Sequence, residues 1–282
     1  MSLNPLSLFR AMPGSIAQGM IWGVMALGVY ITFRLLDFAD LTVDGSIATG
    51  AAVSVMLIRA GVSPIATLPI AFLAGALAGM VTGLLNTALG IPGILASILT
   101  QISLYSINLN IMGKANQPVS VDNYPLVVSL RYVTDGSVSR LLFFLGMIVF
   151  LLALIAVMYW YFGTEQGHAI RATGCNSNMA RAQGINTNFI KVLALMISNG
   201  LVGLCGALYG QFQGASDVNM GRGAIVIGLA AVIIGEVLFG KFASKRKLAF
   251  AFTLASVILG AVIYYMAVSY THLRAHETLA NL

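Results

Sequence analysis

Long apolar runs without a charged residue constrain this chain more than any other feature. Residues 141–161 form the clearest run and are apolar throughout. A membrane-crossing helix needs about 20 such residues, whereas a barrel strand alternates apolar and polar side chains over about 10. Because lipid offers the backbone no hydrogen bonds, only helices and closed barrels can cross it. The run therefore predicts an all-α chain that crosses a membrane several times.

The shortage of charge leads to the same conclusion. Charged residues make up 9% of the 282 residues, against about 25% in a soluble domain, which is too few to cover a water-exposed surface. The net charge of +6 is typical of a membrane protein with basic cytoplasmic loops. The sequence contains no basic stripe interleaved with aromatic residues, so we do not predict nucleic acid binding. Cys175 and Cys205 form no CxxC pair, so we predict neither a disulfide nor a metal site.

The length of a membrane-crossing helix predicts a transmembrane helical bundle of about eight spans. They lie at approximately residues 15–33, 45–58, 65–89, 94–112, 140–162, 189–209, 224–239 and 248–267. The first is interpreted as a retained span, because no clear cleavage site follows it.

Basic residues predict the orientation of the bundle. The densest basic cluster, residues 241–247, is predicted to be cytoplasmic, which places residues 163–188 on the same side and residues 113–139 outside. The side of the N-terminus stays open, because a half-span near residues 37–44 would reverse it.

Small residues repeat at helical spacing within the predicted spans. Gly75, Gly79 and Gly83 recur every four residues and therefore share one helix face. Such a face lets two helix backbones approach closely in a membrane. Gly19/Gly23 and Gly206/Gly210 repeat the pattern, so we predict a compact bundle.

The C-terminal residues differ in character from the rest. Residues 268–278 read VSYTHLRAHET, which resembles the translation of a transposase adapter used in DNA sequencing libraries. On this interpretation the native transmembrane domain covers residues 1–267, the chain is truncated near Ala267, and residues 268–282 are non-native. His272 and His276 have a spacing that suggests metal ligands on a helix, but they receive no role. The alternative is a short polar tail.

No catalytic or nucleotide-binding set is apparent in the sequence. Residues 235–241 match GxxxxGK but lack the following Ser or Thr that a phosphate-binding loop needs. His168 is the one histidine before the suspected tail. We therefore predict that the chain is not an enzyme and holds no cofactor. Glu236 is the one acid inside a predicted span; it is either functional or paired with Lys241 or a loop arginine.

The polar segment at residues 164–188 contains signals for a short helix. Asn176 or Ser177 is predicted to cap a helix that starts at Asn178, and Gly184 to end it in the left-handed conformation. Ala180 and Gly184 would give this helix a smooth face for another protein. An ordinary capped loop helix explains the same residues equally well.

This segment resembles the coupling loop in permeases of the branched-chain amino acid and ribose ABC importer family. The family pattern, Gly-x-Asn-x-x-x-Ala-x-x-x-Gly-Ile-Asn, is matched at Gly174, Asn176, Ala180, Gly184, Ile185 and Asn186. Residues 38–45, 198–210 and 223–236 are also similar to family segments. The resemblance covers about residues 14–267 and is strongest to a subgroup described as tryptophan or tyrosine permeases. Members of this family continue with at least one more hydrophobic segment beyond the position at which the adapter-like residues begin in this chain.

The resemblance implies a multi-pass permease subunit of a binding-protein-dependent ABC importer in the bacterial cytoplasmic membrane. It implies a permease homodimer, surrounded by lipid, that passes a small solute, an amino acid of the branched-chain or aromatic class. A separate cytoplasmic ATPase would dock at the coupling loop, where Arg171 and Arg181 would pair with its acidic residues. An extracytoplasmic solute-binding protein would dock outside.

Polar residues within the spans are candidates for the translocation pathway, since such residues usually face the bundle interior. They are Gln101, Asn108, Asn199 and Gln211. Hydrogen bonding between helices is the alternative for each. A different function, ion-coupled secondary transport, is suggested by Glu236 and by the Gly-rich break at residues 90–93.

Overall fold

A computed structural model describes residues 5–120, 122–134, 137–243 and 248–280. Within these ranges the chain is mainly helical, and one small sheet joins two distant segments. The helices are α1 (Pro5–Tyr30), α2 (Thr42–Arg59), α3 (Pro64–Thr87), α4 (Gly93–Met112), α5 (Leu130–Thr134), α6 (Ser137–Phe162), α7 (Glu165–Cys175), α8 (Ser177–Ala182), α9 (Thr187–Gln213), α10 (Ala224–Ala243) and α11 (Ala249–Ala280). Helix α1 continues as a π-helical turn, Ile31–Leu35.

Six helical segments of the described chain are long and apolar enough to cross a membrane. They are Met12–Leu35, Pro64–Thr87, Gly93–Met112, Val138–Phe162, Thr187–Gln213 and Ala249–Thr271. The predicted polytopic helical bundle is therefore confirmed. The further two predicted spans coincide with α2, which is not among the six, and with a shorter apolar helix at Ala224–Gly240, so the number eight stays a prediction.

Two predictions fall partly outside the described residues. Residues 244–247 of the basic cluster and residues 281–282 of the suspected tail lie outside the described ranges. Up to Ala280 the tail is helical and continues α11.

Helix α9 lies at the centre of the bundle, and glycines let its neighbours approach it. A Cβ atom added at Gly75 of α3 would overlap the carbonyl oxygen of Asn199, and one at Gly79 would overlap that of Leu195. At Gly83 it would lie 2.9 Å from the Cα of Val192. The predicted glycine face thus lies against α9 at backbone contact, the arrangement that small residues permit in membranes.

Glycines also allow close backbone approach between α9 and α2 and between α1 and α11. A Cβ atom at Gly206 would overlap the carbonyl oxygen of Ile47 in α2, and one at Gly19 would lie 2.6 Å from the Cα of Val262 in α11. The close backbone approach therefore recurs on several sides of the bundle.

Helix α2 begins inside the bundle, and the start of α10 is hydrogen-bonded to it. The amide nitrogen of Asn199, near the middle of α9, donates to the carboxylate of Asp40 at 2.6 Å. Asp40 in turn accepts from the backbone N–H of Thr42, the first residue of α2, at 2.9 Å. The backbone N–H groups of Gly223 and Ile225 donate to Asp44 in the first turn of α2, so α10 begins beside that turn.

The segment after α4 is held in place by a two-stranded antiparallel sheet. Strand β1 (Asn116–Pro118) pairs with β2 (Ala215–Asp217), with Gln117 opposite Ser216. Nearby, Arg131 forms an ion pair with Asp122 and lowers the pKa of that carboxyl from its usual value. The sheet therefore connects the segment after α4 to the end of α9.

Candidate functional site

The polar segment at residues 164–188 folds into two consecutive helices, α7 and α8. The side chain of Asn176 caps α8 by accepting from the N–H groups of Asn178 at 3.1 Å and Met179 at 3.0 Å. Gly184 follows the helix with a φ of +85°, in the left-handed region that favours glycine. The structure therefore places the cap at Asn176 and the left-handed residue at Gly184.

Helix α7 was missed by the sequence analysis, which treated this part as a polar loop. Its buried residues are few and form a narrow stripe, Gly167, Ile170 and Thr173, because only one side touches the bundle. A Cβ atom at Gly174 would overlap the carbonyl oxygen of Leu35. Gly174 is therefore needed for packing α7 against the turn that follows α1, and its part in docking a partner stays a prediction.

Arg171 is held against the bundle. Its guanidinium lies 4.2 Å from the ring centroid of Phe250 in α11 and 5.7 Å from that of Phe162 in α6, both within the range of a cation–π contact. The guanidinium therefore packs on the bundle, and the pairing of Arg171 with a partner's acidic residues stays a prediction. Arg171 fastens α7 to two membrane helices.

Ala180 also faces inward, since it is only 4% exposed. The predicted smooth face of Ala180 and Gly184 is therefore wrong as far as Ala180 is concerned. Met179 is 63% exposed and gives α8 an apolar outward centre. Gln183 and Gly184 are exposed beside it.

The two remaining polar residues of the predicted loop have structural contacts as well. Arg181 is exposed, and its guanidinium donates to Thr187 at 2.6 Å and to Asn188 at 3.0 Å. Asn186 accepts from the N–H of Phe189 at 3.2 Å and so caps α9. Ile185 is half-buried and packs against the core. The outward surface of α8 therefore combines one apolar side chain with one cation.

A second candidate site is a pocket of about 300 Å³. It lies between α2, α4 and the turn that leads from β2 to α10. Gln101 and Asn108, two of the predicted pathway residues, line it together with Asp44 and Arg222. Sequence reasoning missed the last two. An acid at the very start of an apolar helix was the available signal for Asp44, whereas Arg222 comes from a turn 178 positions away, and no local pattern joins them.

The other two predicted pathway residues lie elsewhere, in hydrogen bonds between helices. Asn199 accepts from the hydroxyl of Ser46 at 2.7 Å while it donates to Asp40. Gln211 accepts from the backbone N–H of Val127 at 3.1 Å and donates to Ser54 at 3.3 Å. Both amides are fully buried. The structure thus divides the four residues into a pocket pair and a packing pair.

Glu236 is paired, and its partner is Arg34. The Nε of Arg34 lies 2.8 Å and 3.0 Å from the two carboxylate oxygens. The pair ties α10 to the π-helical turn after α1. Among the described residues, no group of three His, Cys, Asp or Glu side chains is placed to hold a metal ion.

Comparison with known proteins identifies a matching family. The model of a family described as "Branched-chain amino acid transport system / permease component" matches residues 12–276. No solved structure matches. The match extends into the suspected tail as far as residue 276, and the non-native origin of that tail stays a prediction.

Three curated relatives illustrate the range of similarity. The tyrosine transport system permease protein of Clostridioides difficile is 41% identical over 227 residues, which are 80% of this chain and 73% of the relative. The inner membrane ABC transporter permease protein YjfF of Escherichia coli is 27% identical over 218 residues, 77% of this chain and 64% of the relative. The autoinducer 2 import system permease protein LsrC of Yersinia pseudotuberculosis is 29% identical over 218 residues, 76% of this chain and 58% of the relative.

Proposed function

The chain belongs to the family of branched-chain amino acid transport system permease components, and from this premise we propose that it forms the membrane pathway of an amino acid importer driven by a separate ATPase. It is a multi-pass protein of the bacterial cytoplasmic membrane. Permease components of ABC transporters are not themselves enzymes. The proposal concerns the ATPase, the solute and the way in which the two are connected.

The main support for this proposal is the packing of α7, the helix that precedes α8, against the membrane helices. Gly174 brings α7 into backbone contact with the turn that follows α1, while Arg171 stacks on Phe250 of α11. A force applied to α8 by a cytoplasmic partner would therefore reach two membrane helices through packed contacts and not through a slack loop. This arrangement suits a helix that couples ATP hydrolysis to movement of the bundle.

The outward side of α8 supplies a contact surface of suitable chemistry. Met179 is the exposed apolar centre, and Arg181 provides a cation beside it. Exposed apolar side chains next to arginine are typical of interface centres. We propose that the ATPase receives this pair in a cleft.

The solute is proposed to be an amino acid, with an aromatic one as the first choice. Support comes from the 41% identity to a protein named as a tyrosine transport permease; a branched-chain amino acid is the second choice. A solute-binding protein would deliver the solute at the face that carries β1 and β2. We also propose that two copies of the chain form the complete pathway, as the family resemblance implies.

Replacement of Met179 by glutamate tests the coupling assignment. The substitution places a charge at the centre of the proposed contact, at a side chain that is 63% exposed. We expect recovery of the co-expressed ATPase in a mild-detergent pull-down to fall by about tenfold or more. Gln166→Glu on α7 is the matched control, since it adds the same charge to an exposed side chain of the same segment.

Equal recovery of the ATPase with Met179→Glu, Gln166→Glu and the unchanged chain would refute the coupling assignment. Met179→Glu is a cleaner test than a bulky substitution at the neighbouring Gly184, such as Gly184→Arg, would be. An arginine at a φ of +85° strains the backbone as well as blocking the surface.

Secondary transport is the alternative function, and proteoliposomes separate the two. The pairing of Glu236 with Arg34 favours a structural role for that acid and so weakens one of the two features that suggested the alternative. Uptake that needs ATP and the ATPase supports the importer. Uptake that follows a proton gradient without ATP would favour the secondary transporter.

A further inference from the structure

The pocket between α2 and α4 contains a buried amide, Asn108, which is 0% exposed. Within the described part of the chain, neither its amide nitrogen nor its amide oxygen has a hydrogen-bond partner. Buried polar side chains in folded proteins are nearly always paired, because an unpaired one loses the water it had in the unfolded chain. Asn108 therefore presents one donor and one acceptor to whatever fills the pocket.

Two opposite charges line the same pocket. Asp44 accepts from three backbone N–H groups at the start of α10, those of Gly223 at 3.0 Å, Ile225 at 2.9 Å and Ala224. A carboxylate has about four acceptor positions, so Asp44 retains capacity for another donor. Arg222 is exposed, and its guanidinium forms no ion pair with the described residues. Gln101 adds a second amide with no hydrogen bond to the described chain.

We propose that this pocket binds the zwitterionic head group of an α-amino acid during its passage through the permease. The inference rests on the proposed function and specifies the substrate class of its pathway. Arg222 donates to the α-carboxylate, as guanidinium groups do. Asp44 accepts from the α-ammonium group. Asn108 and Gln101 supply hydrogen bonds to both.

The pairing of charges distinguishes this ligand class from simpler ones. A site for an anion alone gains nothing from Asp44, and a site for a cation alone is disfavoured by Arg222. The volume of about 300 Å³ is at the lower end of the range for small-molecule sites. Tyr105, which is 44% exposed at the rim, offers a ring for the solute's side chain.

The position of the pocket would let the permease itself select the solute, after the binding protein outside the membrane has released it. Asp44 lies in the first turn of α2, beside the start of α10 and within the bundle. A solute already released by its binding protein would still have to present both an ammonium and a carboxylate group at this depth. The permease would then contribute its own selectivity.

The test measures binding to the purified permease–ATPase complex in the absence of a binding protein. Saturation-transfer NMR in detergent detects weak ligands, and the probes are L-tyrosine, tyramine and 3-(4-hydroxyphenyl)propionate. Tyramine lacks the carboxylate and the propionate lacks the ammonium group. We expect both analogues to bind about tenfold or more weakly than L-tyrosine.

Arg222→Gln is the decisive variant, because the side chain is exposed and its loss should not disturb folding. We expect it to weaken L-tyrosine binding by about tenfold or more while tyramine binding is unchanged. Lys114→Gln is the matched control, as it removes one exposed cation after α4 outside the pocket lining. Asn108→Ser, which keeps a donor and an acceptor but shortens their reach, should weaken all three probes.

Two results would overturn the inference. One is a folded complex that binds none of the probes, and the other is an Arg222→Gln complex that binds L-tyrosine like the unchanged one. Failure of the proposed function would show itself differently, as absence of ATP-dependent uptake in proteoliposomes that contain the binding protein. Intact uptake together with either binding result would refute this pocket alone.

Discussion

Helices α6 and α9 are both long and apolar, yet they occupy opposite positions in the bundle. In the most apolar 18-residue window of each, 22% of the residues of α6 are buried inside the protein, against 78% for α9. Helix α6 also has the higher hydropathy of the two. The more hydrophobic helix is therefore the outer one.

The difference follows from the solvent. In water, burial removes apolar surface from contact with the solvent, whereas lipid tails are as apolar as leucine and provide no such driving force. The interior of this bundle is instead marked by glycines at backbone contact and by paired polar side chains, such as Asn199 with Ser46. Small and polar residues indicate the inside here, and large apolar ones indicate the lipid face.

Gly75→Leu against Gly146→Leu is the strongest test of this comparison. A Cβ atom at Gly75 would overlap the carbonyl oxygen of Asn199, whereas one at Gly146 of α6 meets nothing within 4 Å. We expect Gly75→Leu to cost about 3 kcal/mol or more and to abolish monodisperse protein in size-exclusion chromatography. Gly146→Leu should be neutral or stabilise the helix by up to about 1 kcal/mol. Equal behaviour would mean that α3 and α9 are not in backbone contact.

Leu208→Ala against Leu152→Ala measures the same contrast through loss of volume. Leu208 of α9 is 2% exposed and Leu152 of α6 is 60% exposed. A cavity at Leu208 should lower the free energy of unfolding by about 2–5 kcal/mol. At Leu152 lipid fills the space, and the change should stay within about 0.5 kcal/mol. Denaturant titration in one detergent compares the pair directly.

Asn176→Ala tests α8, a short helix outside the six candidate spans to which α6 and α9 belong. Loss of the cap should cost about 1 kcal/mol. The effect should appear as faster hydrogen exchange at Asn178 and Met179, whose N–H groups the cap accepts, with global unfolding unchanged. Ser177→Ala is the control, because Ser177 was the other capping residue that the sequence allowed. Exchange that is faster in Ser177→Ala than in Asn176→Ala would contradict the assignment.

Local signals account for what the sequence predicted correctly. Apolar run length located the membrane helices, and the Asn176 and Gly184 signals located the two ends of α8, because capping depends on residues within one turn. The glycine spacing of α3 indicated a contact face without revealing that α9 is the partner.

The errors involve contacts between residues far apart in the chain. The packing of Arg171 on Phe250 was not predicted because Phe250 lies in another helix, and Ala180 looked exposed because nothing near it in sequence covers it. The pocket combines Asp44 with Arg222 through folding alone. Hydropathy reports the length of a span but not its neighbours, so the site emerges only when the helices are assembled.

The carboxylate of Asp44 also has a consequence for the order of events on the ribosome. Its partner Gly223 follows 179 residues later, and synthesis at about 5–20 residues per second makes that interval on the order of ten seconds or more. Asn199, the partner of Asp40, follows after 159 residues. Asp40, just before α2, and Asp44, in its first turn, therefore leave the ribosome before Asn199 and Gly223 have been made. These contacts form only when α9 and α10 arrive, so the last third of the chain completes the packing of the first.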